Sequence, residues 1–334
     1  MGITVKEIAA LANCSPTTVS KVLNNRNMNI SEPTKNKILA IAAEHNYIPN
    51  VMAQSLRSQR TNTLGFVLPD ITNPYYAKIT RGIEDAAQKR GFSVVFSDTD
   101  NKPERVRAAA NFLISRMVDG IILDQIGLPD NLDFLPKSIP VVIVDRLVHD
   151  GSESERQIVR VYSDTQDAIY HITKLHIQAG SRKLAFISSN AYETLSPFDR
   201  YYGYVRALKE TGLELDEQLV HWGRYDIETG SEGVERFLQA GLEFDSVVCG
   251  NDMIAVGAMA ALKDQGIRVP EDVRVSGAGD ISFVKYLTPA MTTVAQFSYE
   301  MGEAAANMLI DKILEDIPLC SQKLDYQLLR RESV

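Results

Sequence analysis

TVKEIAALANCSPTTVSKVLN, from Thr4 to Asn24, reads as two short helices joined by a tight turn. Thr4 followed three residues later by Glu7 has the spacing of a capping box, in which hydroxyl and carboxylate satisfy backbone donors at a helix start. Val5, Ile8, Ala9 and Ala12 then recur at helical spacing and give that helix one apolar face. Asn13 and Cys14 break the pattern. Ser15-Pro16 restarts it, since Ser is a favoured N-cap and Pro fits the first helical position, where no amide donor is needed. In the second helix Val19, Val22 and Leu23 can pack inward, while Thr17, Ser20, Lys21 and Asn24 form a row of hydroxyl, ammonium and amide groups. Such a row suits a helix laid in a major groove. Taken alone, such a row is more often a solvated face.

Downstream, Ser31 opens a third helix with Pro33 in its first turn and Ile38, Ile41 and Ala42 as its buried stripe. Three helices suffice for a small helix-turn-helix domain over residues 1–48. Tyr47-Ile48-Pro49-Asn50 then interrupts helix, and VMAQSLRSQR follows as a segment too short to be stable alone. Residues 49–60 therefore read as a hinge helix that needs a partner. Leu56, beside Arg57 and Arg60, fits a wedge pushed into a minor groove; a linker leucine packed on the core is the other reading.

A chain of 334 residues is expected to hold two or three domains. Its net charge of −8 is not evenly spread. Residues 1–60 carry seven basic and three acidic groups, a net of +4, and the other 28 basic and 40 acidic groups give −12. A basic head on an acidic body fits a DNA-binding domain joined to a sensing or assembling one. Cys14, Cys249 and Cys320 have no metal or redox spacing and imply structural thiols in a reducing compartment. Neither a leader nor an apolar run of membrane-spanning length is evident, so the expectation is a cytoplasmic protein with no membrane partner.

From Thr63 the pattern changes to buried strands alternating with amphipathic helices. LGFVLPD, FSVVFSD, GIILD and PVVIVD come first; KLAFIS, LVHWG, SVVCG and VRVSG follow. Ile79–Arg90, Arg105–Met117, Thr165–Ala179, Tyr201–Thr211 and Ile254–Gln265 are helical segments between them. This alternation predicts an α/β body of two parallel-sheet subdomains with a boundary near Tyr162-Ser163. Asp70, Asp98, Asp124, Asp145, Ser188 and Asn251 stand just after strands, where open α/β sheets bind ligands. Taken singly, such a residue is more often a helix cap or turn residue.

The head and hinge, ITVKEIAALANCSPTTVSKVLNNR and ISEPTKNKILAIAAEHNYIPNVMAQSLRSQRTNTLGFVLPDITNPYY, together with GNDMIAVGAMAAL, VPEDVRVSG and LTPAMTTVAQ, resemble the lactose/galactose repressor family of bacterial transcription regulators over nearly the whole chain. The resemblance implies a homodimer on a palindromic double-stranded operator, with recognition helices in major grooves and hinge leucines at the centre. It places Pro16, Thr17 and Lys21 at base-reading positions and Leu56 at the wedge. Thr4, Ser15, Thr18, Ser20, Asn24, Asn25, Tyr47, Asn50 and Ala53 complete the DNA-binding candidates. Members often have Arg at the place of Lys21, and lysine lacks the planar fork for guanine.

It also implies a bilobed body like that of periplasmic sugar-binding proteins, with the effector between lobes formed by 61–162 with 292–319 and by 163–291 with 320–334. Tyr75 and Tyr76 match an aromatic wall, Tyr225 a stacking residue, and Asp145, Arg200 and Asn251 polar positions; Asp70, Asp124, Arg146, Phe198 and Asp280 complete the effector candidates. Where many members have paired Asp, this chain has Gly279-Asp280. The lost carboxylate, with Arg146 and Arg200 nearby, extends the expected effector from a sugar to a sugar acid or sugar phosphate.

Other classes fare worse. No G-x-G-x-x-G follows the first strand, no P-loop, G-x-S-x-G or His cluster is present, and catalysis, cofactors and metals are not expected. The head argues against a stand-alone sugar-binding protein. Control by a phosphocarrier protein, known in some members of the family, stays open as an alternative to a metabolite.

Overall fold

The computed structural model describes residues 3–23, 30–47, 60–124, 132, 134–145, 159–189 and 195–334, with the side chains of 103 and 195–199 excepted. Asn24, Asn25, Asn50, Ala53, Leu56 and Arg146 lie outside the described residues, as does most of the expected hinge helix, and Phe198 is described by its backbone alone. The chain divides into two compact units, Met1–Thr61 and Asn62–Val334.

In the head, helix α1 (Val5–Ala12) begins at the expected capping box: the Thr4 hydroxyl oxygen accepts the Glu7 amide at 3.3 Å, and the Thr4 amide donates to Glu7 Oε2 at 2.7 Å. Those bonds hold the Glu7 carboxyl below its usual range. Asn13, at φ 54°, ends the helix in the left-handed conformation that asparagine tolerates. The Ser15 hydroxyl accepts the Thr18 amide at 3.0 Å and starts α2 (Pro16–Leu23). Helix α3 (Glu32–Glu44) closes a core of Ile8, Ala9, Ala12, Val19, Val22, Ile38 and Ala42, with Cys14 and Tyr47 packed at its edge.

The body holds two parallel sheets. The first has the order β11-β5-β4-β3-β1-β2, from β1 (Thr63–Leu68), β2 (Ser93–Asp98), β3 (Gly120–Asp124), β4 (Val141–Asp145), β5 (Arg160–Ser163) and β11 (Gln322–Leu324). Helices α4 (Pro74–Lys89) and α10 (Ser298–Glu315) pack together on one face. Helix α5 (Pro103–Ser115) covers the other through Val106, Ala110 and Leu113. The second sheet has the order β7-β6-β8-β9, from β6 (Leu184–Ser189), β7 (Val220–Gly223), β8 (Ser246–Cys249) and β9 (Arg274–Ser276). Helices α6 (Thr165–Gln178) and α7 (Leu195–Thr211) lie on one side, α8 (Ile227–Gln239) and α9 (Asp252–Asp264) on the other. Where α8 meets α9 both chains carry glycine. A Cβ on Gly257 would stand 1.8 Å from the Ile227 carbonyl oxygen, and one on Gly230 1.9 Å from that of Ile254.

Three crossings join the lobes, and strand pairing moves two of them from their expected places. Strand β10 (Thr293–Ala295) pairs antiparallel with β12 (Gln327–Leu329), and Thr292 bridges to Ser276, so 292–295 belong with the second sheet. Strand β11 pairs with β5, so the chain leaves the first lobe after Leu324 rather than at 319. The hydroxyl of Ser163, on the first crossing, donates to the carbonyls of Gln296 (3.1 Å) and Asp325 (3.4 Å) on the second and third.

His176 ties α6 to the second sheet. It is fully buried, with Nε2 2.7 Å from the Ser276 hydroxyl and Nδ1 against that of Ser246. Burial lowers its pKa from 6.5 to about 3, so the folded protein holds it neutral. The stability this represents is complete above pH 6.5 and declines as pH falls toward 3, because only the unfolded imidazole takes up a proton there. Urea titrations from pH 7.5 to 5 should show a loss of up to about 1.4 kcal/mol per pH unit from this residue, reduced in His176→Gln. An identical slope in the variant would assign the acid sensitivity elsewhere.

Candidate functional site

A cavity of about 320 Å³, part of it open to solvent, lies between the lobes and is lined by Asn73, Tyr75, Tyr76, Asp145, Arg200, Tyr225, Asn251, Asp252, Met253, Ala278, Ile281 and Gln296. Its first-lobe wall is the start of α4. The Asn73 side chain accepts the Tyr75 amide at 3.0 Å, and Pro74 occupies the first turn, so the two tyrosines enter the cleft with rings edge to face at 5.5 Å. The Tyr75 hydroxyl donates to Asp145 Oδ1 at 2.7 Å. Burial, then the Asp145 charge, push the Tyr75 pKa well above that of a free phenol, which keeps it a donor. Asp145 ends β4 at φ 75°, a strained conformation for a residue with a Cβ and one that accumulates at functional sites.

The second-lobe wall is more polar. Arg200, only 6% exposed, donates from Nη1 to the Gly250 carbonyl at 2.8 Å and sits 5.0 Å from the Tyr225 ring centre. Among the described residues no carboxylate lies within ion-pairing distance of it. Asn251 caps α9 by accepting the Ile254 amide at 2.9 Å, and its Nδ2 faces the Tyr225 carbonyl at 3.4 Å. The cap and ligand readings of Asn251 are therefore compatible: one end of the side chain starts the helix while the residue lines the cleft.

Asp252 was not foreseen from sequence. It is buried, accepts the Thr293 hydroxyl at 2.5 Å and the Ile281 amide at 2.8 Å, and burial raises its pKa to about 6. Gly277 makes room for it, since a Cβ there would stand 2.3 Å from Asp252 Oδ1; Gly279, at φ +130°, lies beside Oδ2. The neighbourhood of Gly279, expected to lack a carboxylate, receives one from Asp252 instead.

Three of the effector candidates with described side chains fall outside the cavity lining, as do the post-strand residues Asp98 and Ser188. Asp280 forms an ion pair with Arg331 at 2.6 Å. Asp70 accepts the Thr72 amide and hydroxyl at 2.8 and 2.6 Å and shapes its own loop. Asp124 is buried at the end of β3, and its charge adds to the upward shift of Tyr75. On the head, Ser15, Pro16, Thr17 and Lys21 are exposed along one side of α2 and Ser20 is half-buried. The Thr18 hydroxyl lies 2.9 Å from that of Ser15, and Thr4 is occupied by its cap. Tyr47 is half-buried against the core and donates its amide to Ala42 at 2.8 Å.

Residues 4–50 match the family of bacterial regulatory proteins, lacI family, and residues 61–324 match the periplasmic binding proteins and sugar binding domain of that same family. The chain belongs to the LacI family of transcriptional regulators. It is 35% identical to the HTH-type transcriptional regulator RegA of Clostridium saccharobutylicum over 337 residues, covering 100% of this chain and 99% of RegA. Among solved structures it resembles the transcriptional regulator CelR–cellobiose complex, with 28% identity, a TM-score of 0.72, and 99% and 100% of the two chains covered. The lac repressor dimer bound to operator and the anti-inducer ONPF superposes at a TM-score of 0.85, covering 100% and 99%, and at 22% identity it shows the fold. A LacI-family regulator is not an enzyme, and its helical head and two parallel-sheet subdomains are the family's architecture. Among the described residues there is no helix long and apolar enough to cross a membrane and no His, Cys, Asp and Glu cluster able to hold a metal ion.

Proposed function

We propose that this regulator represses transcription as a homodimer on a palindromic operator, and that a neutral, hydroxyl-rich small molecule of the sugar class in the interlobe cleft changes its affinity for DNA. The observation that carries the ligand class is the lining itself. Aromatic Tyr75, Tyr76 and Tyr225 supply ring faces for the apolar side of a sugar, and Asp145, Asn251 and the Arg200 fork supply partners for hydroxyls. A similar regulator was solved with cellobiose, which agrees with that class.

Charge decides between a neutral and an anionic ligand. Among the described lining residues, Asp145 and Asp252 stand against Arg200 alone. A like charge at about 4 Å costs roughly 4 kcal/mol at an effective dielectric of 20, so an anion would gain from the guanidinium and lose to the carboxylates. A sugar acid or phosphate remains the second reading, because the buried guanidinium has no carboxylate partner among the described residues. A thermal-shift panel of neutral sugars, sugar phosphates and sugar acids separates them: neutral sugars should raise the melting midpoint, and a rise with the acidic members alone would overturn the assignment.

For the head, the exposed Thr17 and Lys21 side supports α2 as the groove-reading helix. Affinity for a duplex selected from a random pool should fall steeply with salt. Lys21→Ala should remove about 1–3 kcal/mol of discrimination if the lysine reads a base edge. Salt-independent binding would sink the proposal.

A further inference from the structure

Asp252 joins three parts of the second lobe against the cavity. It opens α9 beside the cap Asn251, its Oδ1 accepts the Thr293 hydroxyl of β10, and its Oδ2 accepts the Ile281 amide beyond the Gly277–Gly279 turn. Both donors are neutral. Although the residue is 1% exposed and lines the cavity, no Lys, Arg or His nitrogen among the described residues lies within ion-pairing distance of it. Arg331 is paired with Asp280, and Lys78 of α4 donates to the Asp280 main-chain carbonyl. Cys249 of β8 is held as a thiol by burial, with the Asp252 charge adding to the effect, and Tyr75, which approaches Gly279, is held as a phenol. Asp145, Arg200 and Tyr225 complete the titratable lining, which contains no histidine among the described residues.

A buried carboxylate that faces only neutral donors binds its proton more tightly than one in water, and burial brings the Asp252 pKa up to about 6. With Asp252 ionised, the two carboxylates of the described lining outnumber its single guanidinium; with it protonated, Asp145 and Arg200 balance. The Thr293 hydroxyl can reverse its hydrogen bond and accept the new proton, so both states keep the turn in place. We propose that Asp252 sets the charge class of the ligand through its own proton: ionised, it confines the cleft to neutral hydroxylated molecules, and protonated, it lets Arg200 hold the carboxylate of a sugar acid. This deepens the reading of the cleft as a sugar-class site and rests on it. An anion that favours the protonated form takes up a proton as it binds, so its affinity rises as pH falls, by about tenfold per unit above the Asp252 midpoint. A neutral ligand takes up none. In acid the cleft therefore answers to a second class of molecule.

The test is isothermal titration of the full-length chain at pH 7.5 and 5.5, with D-glucose, D-ribose and cellobiose as neutral probes and D-gluconate and D-glucuronate, ionised at both values, as anionic ones. In the wild type the best neutral probe should change in affinity by less than about threefold, and the best anionic probe should tighten by about 10- to 30-fold, the span of one proton binding near pH 6. Asp252→Asn, which carries no charge at either pH, should bind the anion at pH 7.5 as tightly as the wild type does at 5.5 and lose the slope. Should that variant not fold, the wild type still decides: at pH 7.5, titrations in two buffers of different ionisation enthalpy should count close to one proton taken up per anion bound and none per neutral sugar. Anion affinity that is flat with pH, a slope that survives in Asp252→Asn, or neutral sugars binding while no anion binds at either pH would overturn the proposal and leave the cleft reading standing. Anions binding with this slope while no neutral sugar binds would overturn the neutral-ligand assignment and leave Asp252 in its role. No binding of any probe would overturn both.

Discussion

Replacing Arg200 by Ala is expected to weaken ligand binding by about 30- to 1,000-fold, the factor that corresponds to losing two charge-assisted hydrogen bonds in a buried site, roughly 2–4 kcal/mol. Among the described residues the guanidinium donates to the Gly250 carbonyl alone, and the ring of Tyr225 lies beside it at the cavity. Arg200→Lys should recover little, because an ammonium cannot present two parallel donors. Isothermal titration of both variants against the best sugar of the thermal-shift panel decides the matter. A Lys variant of near wild-type affinity would mean that charge alone, and not the fork, is recognised. By linkage, whatever factor the ligand applies to DNA affinity is applied by DNA to ligand affinity.

Gly257→Ala should cost more than about 1–3 kcal/mol, the range typical of core overpacking. The added Cβ would sit 1.8 Å from a backbone carbonyl oxygen, which no rotamer change relieves, so α8 and α9 would have to separate. Since α9 carries Asn251 at its cap and Asp252 in its first turn, cleft binding should weaken along with stability. Gly266→Ala is the informative contrast. Gly266 lies at φ +73° with nothing within 4 Å of its absent Cβ, so the cost there is the conformational penalty of about 1 kcal/mol. Urea denaturation of the pair should separate the two by several-fold; equal losses would mean that the helix crossing is looser than its glycines indicate.

Much of this architecture was legible because local chemistry and tertiary structure agree. The buried runs at Leu64–Leu68 and Val141–Val144 could only be interior strands, and Thr4, Ser15 and Asn251 cap helices as their side chains dictate. Helix α8 was passed over although its buried face, Thr229, Gly230, Gly233, Val234 and Phe237, recurs at helical spacing, because only the last two of those residues are large and apolar. Asp280 was misjudged because its partner, Arg331, is 51 residues away. Asp252 and Gln296 were missed for a related reason: a buried aspartate in a helix start and a glutamine after a strand carry no local mark, and only the meeting of lobes gives them a shared cavity. The crossings shifted because Thr292 and Thr293 bond to Gly277, Arg331 and Asp252, all of the second lobe.

The interleaved crossings also dictate an order of events on the ribosome. The first sheet is written early, yet Ile79 and Ile83 of α4 are covered by Met301, Ala305 and Leu309 of α10, and the outer strand β11 arrives later still. At about 5–20 residues per second, the stretch from Ser163 to Glu315 takes roughly 8–30 s to emerge, and through that interval an aliphatic face of the nascent first lobe waits for its cover. The head, whose core is drawn from residues 3–47, has no such wait. The part that faces DNA can thus be finished while the part that governs it is still being made.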